Sequence, residues 1–341
     1  MEALQAIMDP EYAAGLAKAG LLVGSKPPPP ASTAEEARVG FDTIVVKGYK
    51  AFLEPHLPPS DTYTVTEHSV PVEGGEISVR CLVPVVGDQS ETFPVLVYIH
   101  GGGWTVGSVE LDDYALRGYC VRQKISVVNV EYRLAPEFPF PTAVNDCHAA
   151  LKWVVSNASI LKADVKKGFL VGGESAGANL SAVLAHIVRD DPFFKGRRLT
   201  GQLLCEPNVC HYAAYPDNLK AKFKSIDEVP DMPALSRAMK ERFYEWYNAP
   251  PSDPRYSPLL YPSHHGLPRA YLQAAGLDAL RDDAFVYAEV LREAGVETKL
   301  DFYPGVGHGF HYGVPNITAA AKVRKDFEQA IRWLLNRESS T

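Results

Sequence analysis

The sequence predicts an α/β fold built on one mostly parallel β-sheet. Eight short runs are typical of strands, and amphipathic helical patterns separate the later ones, so strand and helix alternate along the chain. Central runs such as FPVLVYI (93–99) and GFLVGG (168–173) are continuously apolar, which indicates burial on both faces of a sheet. We therefore expect a central sheet of about eight strands, flanked by helices and connected by right-handed crossovers.

The helices and strands are expected in a simple order. Residues up to about Leu57 have a helical pattern, strongest in AEEARVGFDTIVVKGYKAFL (34–53), and the KPPPP run (26–30) should be extended. The predicted strands are 63–71, 76–84, 93–99, 125–132, 168–173, 200–207, 269–276 and 297–304. Apolar residues at helical spacing predict three later helices, around Val144-Cys147-Leu151-Val154, Ala284-Tyr287-Ala288-Leu291 and Val323-Phe327-Ile331-Leu334.

One interval interrupts this alternation. From Asn208 to Pro254 the sequence has no good strand, only polar turns and the aromatic helix LSRAMKERFYEWY (235–247). The interval is too long for a plain loop and too short for a domain. We therefore predict an N-terminal helical cap segment at 1–57 and a main domain at 58–341, with a cap insertion at about 208–254.

Charge and composition argue against nucleic-acid binding, membrane insertion and secretion. The net charge of -7 leaves no basic surface for nucleic acid. No apolar run approaches the roughly 20 residues that a membrane helix needs, and the acidic start MEALQAIMDPEY does not resemble a signal peptide. The five cysteines have no metal-site or disulfide spacing. We expect a cytoplasmic protein with reduced, buried thiols and no membrane partner.

A serine between glycines follows the fifth predicted strand. The segment GGESAGANL places the pattern G-x-S-x-G, Gly173 to Gly177, between a strand and a helix. This arrangement is typical of a nucleophile elbow, where small flanking residues allow a tight turn that projects the hydroxyl of Ser175 at a helix N-terminus. The same five-residue pattern also arises as a purely structural turn. Catalysis would require a base, an acid and an oxyanion site as well.

Three consecutive glycines follow the third predicted strand, in VLVYIHGGGW (95–104). Because such a run is entropically unfavourable, it indicates either a turn or the close approach of bare N–H groups to a ligand oxygen. A phosphate loop is the alternative ligand site, but neither Gly-Lys-Ser/Thr nor G-x-G-x-x-G is present. Beside an elbow serine, the N–H groups of Gly102, Gly103 and Ala176 are the expected oxyanion donors.

His308 is the candidate base and Asp278 is the candidate acid. His308 lies between two glycines on a loop after the eighth predicted strand, and Asp278 follows the seventh strand in the same way. Both loops should open at the carboxyl edge of the sheet. Asp278 has an alternative, structural role as the N-cap of the next helix, which Asp282 could equally fill.

Six motifs occur in order between about Phe93 and the C-terminal helix: HGGGW, VEYRLAPEFPFPTAVNDC, GESAGANL, DPRYSPLL, GLDALRDDA and FYPGVGHGF. With these motifs the chain resembles the hormone-sensitive-lipase-like carboxylesterases of the α/β-hydrolase superfamily. The resemblance implies an α/β-hydrolase fold with a helical cap. It also implies that 58–341 is the catalytic domain.

The resemblance further implies the roles of single residues. The nucleophile is Ser175, the acid Asp278 and the base His308, in the chain order that this fold uses. The implied oxyanion donors are again Gly102, Gly103 and Ala176, and Tyr132, Arg133 and Asp146 match positions that brace the oxyanion loop and the following helix. The elbow commonly reads Gly-Asp-Ser-Ala-Gly in this family. Here Glu174 replaces the aspartate, which keeps the charge and adds one methylene.

The activity implied is serine ester hydrolysis through an acyl-enzyme, without metal or organic cofactor. The pair His308 and His311 lacks the H-E-x-x-H context of a zinc site. An amidase or arylformamidase, a lactonase and a biosynthetic acyltransferase would use the same triad. A non-catalytic small-molecule receptor is the alternative from another class, because some relatives have lost a triad member.

The substrate is expected to be a small-molecule ester with a short to medium acyl chain. A bulky aromatic cap should leave a closed acyl slot, and no long apolar lid helix is evident that could open onto a lipid surface. No nucleic-acid partner is expected, and a homodimer is left open. The candidate substrate-binding residues are Trp104, Phe243, Tyr244, Trp246 and Tyr247.

Overall fold

All eight predicted strands form in the computed structural model, which describes residues 7–21, 31–88 and 90–337. The KPPPP run lies outside the described residues. The strands are β1 (Tyr63–Val72), β2 (Gly75–Pro84), β3 (Val95–Ile99), β4 (Ser126–Glu131), β5 (Phe169–Glu174), β6 (Gly201–Cys205), β7 (Arg269–Leu277) and β8 (Thr298–Gly307).

These strands form one sheet in the order β1-β2-β4-β3-β5-β6-β7-β8. The pairs β1–β2 and β2–β4 are antiparallel. Every other pair, from β4–β3 to β7–β8, is parallel. The predicted mostly parallel sheet of about eight strands is therefore confirmed.

The described helices lie between and around these strands. They are α1 (Pro10–Lys18), α2 (Ala34–Phe41), α3 (Lys47–Leu53), α4 (Asp113–Gln123), α5 (Thr142–Ser156), α6 (Ala176–Asp190), α7 (Ser225–Glu228), α8 (Arg237–Tyr247), α9 (Arg281–Glu293), α10 (Phe310–Gly313) and α11 (Thr318–Leu334). A π-helical turn, Asp42–Val46, joins α2 to α3. Short 3-10 turns occur at Glu54–His56, Pro192–Phe194, Tyr212–Ala214, Lys220–Lys222 and Pro258–Leu260.

Alternate residues of the central strands enter two separate cores. In β3, Val95, Val97 and Ile99 belong to a core that contains the apolar residues of α5, α6 and α9. Leu96 and Tyr98 belong to a second core, with residues of α4 and α11. Because helices cover both faces of the sheet, every side chain of β3 is buried. This burial explains why the strand is apolar throughout rather than alternating.

The helix α4 was not predicted from the sequence. Seven of its positions are buried, among them Asp113 and Gln123. These polar side chains stand at the two ends of the buried face, so that only the short apolar stripe of Leu116, Tyr119 and Cys120 remains between them, and this is a weak helical signal. Asp113 is held by an ion pair with Arg117, one turn later in the same helix, at 2.7 Å.

The interval 208–254 contains no strand, and α8 forms where the aromatic helix was predicted; the short helix α7 was not predicted. The backbone of this interval is hydrogen-bonded to α9. The N–H groups of Val209 and Ser225 donate to the carboxylates of Asp283 and Asp282, at 2.9 and 2.6 Å.

The N-terminal helices lie at the same edge of the sheet. The backbone N–H of Asp9, just before α1, donates to the carbonyl of Gly305 on β8 at 2.9 Å. The division into cap and catalytic domain stays a prediction.

The five cysteines are all buried and none forms a disulfide. No helix in the described ranges combines the length and apolar character that crossing a membrane requires.

Candidate active site

Ser175 stands at a sharp turn between β5 and α6. Its φ of 54° and ψ of -114° are unusual for a residue with a side chain. A Cβ atom at Gly173 or Gly177 would lie only 2.1 or 2.0 Å from the carbonyl oxygen of Ile99. Glycine is therefore required at both flanks, because β3 passes directly beside the turn. The turn directs the serine hydroxyl to the carboxyl edge of the sheet.

The structure brings Ser175, His308 and Asp278 together. Nε2 of His308 lies 2.9 Å from Oγ of Ser175, and Nδ1 lies 2.7 Å from Oδ2 of Asp278. His308 is 9% exposed and Asp278 is 1% exposed, so the imidazole is largely shielded from water. With a proton on Nδ1, the imidazole donates to Asp278 and accepts from the serine hydroxyl. A nucleophile–base–acid triad uses this arrangement.

Asp278 is held by the chain that follows it. Its Oδ1 accepts the N–H of Leu280 at 2.9 Å, which leaves Oδ2 to face His308. Leu280 itself is the N-cap residue of α9, and no side chain caps that helix. Neither Asp278 nor Asp282 therefore serves as the N-cap, the structural alternative considered from the sequence.

The surroundings of His308 favour its charged form. Burial alone would lower the pKa of its imidazole, but the carboxylates of Asp278 and Glu206 outweigh burial and raise that pKa well above its ordinary value. A general base becomes an imidazolium when it accepts a proton. The carboxylates around His308 are placed to stabilise that charge.

The glycine loop, residues 100–104, passes close to Ser175 in a backbone conformation that favours glycine. Gly102 and Gly103 have φ values of 118° and 57°, and an added Cβ at Gly101 would lie 3.7 Å from Cβ of Ser175, so the loop passes beside the nucleophile. Ala176 is the first residue of α6, where N–H groups have no partner within the helix. The three N–H groups predicted as donors therefore belong to two segments that meet at Ser175.

Residues that follow β4 brace the glycine loop. The hydroxyl of Tyr132 donates to the carbonyl of His100 at 3.1 Å, and the two rings stack with centroids 4.3 Å apart. Arg133 donates to Asp146 on α5 through Nε and Nη2, at 2.9 and 2.6 Å. These contacts agree with the bracing role that the resemblance implied.

We expect Gly102→Ala to lower kcat about 10²–10³-fold, the usual effect of losing one oxyanion donor. A Cβ at this residue would lie 2.1 Å from the carbonyl oxygen of Val106, so the loop and its N–H groups must shift. Hydrolysis of p-nitrophenyl acetate measures the loss. Gly313→Ala is the matched control, because an added Cβ there meets nothing within 4 Å. A Gly102→Ala enzyme as active as this control would contradict the assignment.

Trp104 and Tyr247 lie in the interior. Their rings stack with centroids 4.5 Å apart and an interplanar angle of 5°, and Tyr256 meets the indole edge-on at 5.4 Å. This aromatic stack packs the glycine loop against α8. Contact of either residue with substrate stays a prediction.

Phe243 lies over the glycine loop. A Cβ at Gly103 would lie 2.4 Å from its ring, so the ring covers that glycine. Trp246 lies next to it, with ring centroids 6.3 Å apart. Tyr244 is held by Asn208, whose amide donates to the phenol oxygen at 2.6 Å. Substrate contact for these three also stays a prediction.

Two acidic residues near the triad have partners that the sequence analysis did not find. Glu174, the elbow residue that replaces aspartate, lies 3.0 Å from Nε2 of His311. Glu206 lies 3.3 Å from Nδ1 of His308. Each follows or ends an apolar strand at the carboxyl edge of the sheet, as Asp278 does. That shared position is the signal that could have identified Glu206.

Among the described residues, one group brings three potential metal ligands within 4.8 Å of one another: Glu206, Asp278 and His308. The distance of 2.7 Å from Nδ1 of His308 to Asp278 is that of an N–H···O hydrogen bond. The hydrogen bond between the imidazole and Asp278 therefore explains why these three side chains lie close together.

Comparison with known proteins identifies the family of this chain. A family model described as the alpha/beta hydrolase fold matches residues 96–312. Carboxylesterase NlhH of Mycobacterium tuberculosis is 37% identical over 265 residues, 76% of this chain and 79% of that protein. Versiconal hemiacetal acetate esterase of Dothistroma septosporum is 32% identical over 293 residues, 85% of this chain and 87% of that protein.

A solved structure extends the similarity over almost the whole chain. The crystal structure of vibralactone cyclase is 40% identical in sequence, with a TM-score of 0.92 over 97% of this chain and 96% of that one. The predicted fold class is confirmed by this match and by the sheet order. The chain belongs to the α/β-hydrolase fold family, among the hormone-sensitive-lipase-like carboxylic ester hydrolases.

Proposed function

We propose that this protein is a serine carboxylesterase for short- to medium-chain esters. The observation that supports it most is the position of His308, with Nε2 at 2.9 Å from Ser175 and Nδ1 at 2.7 Å from Asp278. All three triad residues are present, which argues against the alternative of a receptor that has lost one of them. The glycine loop beside Ser175 supplies the expected oxyanion donors.

The chemistry follows from these contacts. Ser175 attacks the acyl carbonyl while His308 takes its proton at Nε2, and Asp278 holds the imidazole in the productive tautomer. The N–H groups of Gly102, Gly103 and Ala176 stabilise the oxyanion of the tetrahedral intermediate. The imidazolium then protonates the leaving alcohol. Water hydrolyses the acyl-enzyme by the same route, with His308 as base.

The cap limits the size of the acyl group in this proposal. We assign the cap to residues 1–57 and about 208–254, and the ring of Phe243 over Gly103 supports that assignment. The stacked rings of Trp104 and Tyr247 pack α8 tightly against the loop. The acetate ester in the name of the versiconal relative is also consistent with a short acyl group.

A series of p-nitrophenyl esters from acetate to palmitate tests this substrate range. The value of kcat/KM should rise with the first added methylenes, because each buried methylene contributes up to about 0.8 kcal/mol. It should fall beyond about ten carbons, because longer acyl chains no longer fit the slot. Phe243→Ala should move the optimum to longer acyl chains, whereas Trp333→Ala, on α11, should leave it in place. Palmitate as the best substrate of the unaltered enzyme would refute the closed slot.

Lactone chemistry is a second candidate, favoured by the similarity to vibralactone cyclase over almost the entire chain. The same acyl-enzyme can be released by an internal hydroxyl instead of water, and the reverse reaction opens a lactone. Hydrolysis rates for matched open-chain esters and lactones discriminate the two. A lactone preferred over every open-chain ester of equal carbon number would favour the second candidate.

A further inference from the structure

Glu206 is a second buried carboxylate beside His308. It directly follows β6, is 3% exposed, and its Oε2 lies 3.3 Å from Nδ1 of His308. The same oxygen accepts the N–H of Gly309 at 2.6 Å. Asp278 approaches Nδ1 as well, at 2.7 Å. The single N–H at Nδ1 therefore faces two acids, which come from the ends of the neighbouring strands β6 and β7.

The backbone holds Glu206 in this position. Its φ of 47° lies in the left-handed region, which residues other than glycine seldom adopt and which is frequent at functional sites. Its N–H donates to the carbonyl of Gln273 on β7 at 3.1 Å, and the carbonyl of Cys205 accepts the N–H of Ser175 at 2.8 Å. The end of β6 is thus fixed between the nucleophile turn and the strand that leads to Asp278.

The charges around this residue are unusual for a buried site. Two neighbouring carboxylates disfavour ionisation of each other unless a cation lies beside them. Burial raises the pKa of Glu206, the charge of His308 opposes that rise, and the other carboxylates add to it. The ionisable groups that interact with Glu206 come from six elements: Tyr12 on α1, Glu174 on β5, Cys205 on β6, Asp278 after β7, His308 after β8 and His311 on α10.

We propose that Glu206 is a second positioning acid for His308, which acts with Asp278 to stabilise the imidazolium formed when Ser175 gives up its proton. This inference rests on the proposed function, in which His308 is the general base. The serine proton moves from Oγ to Nε2, while the other proton stays on Nδ1. Glu206 accepts no proton in this step. It contributes negative charge and an acceptor oxygen.

Glu206→Gln separates this role from a structural one. The amide oxygen of glutamine can still accept the N–H of Gly309, but the negative charge is lost. We expect kcat to fall about tenfold with little change in KM, and the acidic limb of the kcat/KM profile to move to lower pH by about one unit. The sign follows because a nearby carboxylate raises the pKa of His308, so that its removal lowers that pKa.

Two further single variants make the measurement specific. Glu206→Asp keeps the charge at a greater distance, so its acidic limb should lie between those of the unaltered enzyme and Glu206→Gln; it also provides the test if the glutamine variant fails to fold. Asp112→Asn is the matched control. Asp112 is buried, its carboxyl accepts from Tyr312 at 2.8 Å, and burial raises its pKa to about 7. This control should leave the acidic limb unshifted.

A double variant gives an independent readout. In Asp278→Asn, Glu206 is the remaining carboxylate at Nδ1, so adding Glu206→Gln should lower the residual kcat by a further tenfold or so. An unshifted acidic limb in both Glu206 variants, with a double variant no slower than Asp278→Asn, would overturn the inference. If Ser175→Ala is inactive in the same experiment, only the role of Glu206 fails; an active Ser175→Ala would instead defeat the proposed function.

Discussion

Ser175→Ala is expected to fold normally and to lose esterase activity to near background, a fall in kcat of about 10⁴-fold or more. The substitution removes the atom that His308 Nε2 contacts at 2.9 Å, and no acyl-enzyme can then form at this position. His308→Gln should have nearly the same effect, because the serine would lose its base. Hydrolysis of p-nitrophenyl acetate and thermal unfolding measure activity and folding on the same preparations.

Fluorophosphonate labelling identifies the nucleophile directly. The unaltered protein should be labelled and Ser175→Ala should not. Ser181→Ala is the matched control, since Ser181 lies on the same helix with its hydroxyl committed to the carbonyl of Gly177 at 2.8 Å. This control should keep its label. If Ser175→Ala or His308→Gln retained more than about a tenth of the kcat, the residue would be misassigned.

Asp278→Asn is expected to lower kcat by about 10²–10⁴-fold, because the imidazole loses its charged partner and the tautomer is no longer controlled. Asp283→Asn should change kcat little. The carboxylate of Asp283 accepts the backbone N–H groups of Val209 and Cys210 rather than a proton of the imidazole. The amide oxygen can still accept the N–H of Val209.

Asp282→Asn is the second comparison. It weakens the ion pair with Arg281, 2.8 Å away, and should affect stability by about 1 kcal/mol rather than catalysis. Measured values of kcat and unfolding midpoints for the three variants separate the catalytic role of Asp278 from the structural roles of Asp282 and Asp283. Equal losses of kcat across all three would remove the distinction between Asp278 and its neighbours.

The parallel sheet and the elbow could be predicted from the sequence because both depend on local patterns. Continuous apolar runs mark the central strands, which are covered on two faces, and the alternation of strand-like runs with helical patterns was enough to define the sheet. The glycines around Ser175 also form a short local motif. Each lies against the carbonyl of Ile99, where no Cβ fits, so the tight turn requires glycine at both positions. Loops after β7 and β8 then supplied Asp278 and His308 in the expected chain order.

Helix α4 and the packing of the aromatic residues could not be predicted in this way. The buried face of α4 begins and ends with polar residues, so its periodicity gave only a weak signal. The composition of LSRAMKERFYEWY indicated an aromatic helix but not which ring meets which surface. The structure stacks Tyr247 on Trp104 and places Phe243 over Gly103. These contacts join segments that are distant in the chain, so local periodicity does not specify them.

The sequence by itself determined the fold class, the nucleophile turn and the three triad candidates, because turn geometry and strand burial impose residue types at short spacing. Only the tertiary structure decided what surrounds His308. Glu174 and Glu206 are acidic residues at the ends of separate strands, and nothing near them in the chain indicates a histidine partner. Parallel pairing of β5, β6 and β7 aligns their carboxyl ends at one edge of the sheet, and that alignment places both glutamates beside histidines distant in sequence.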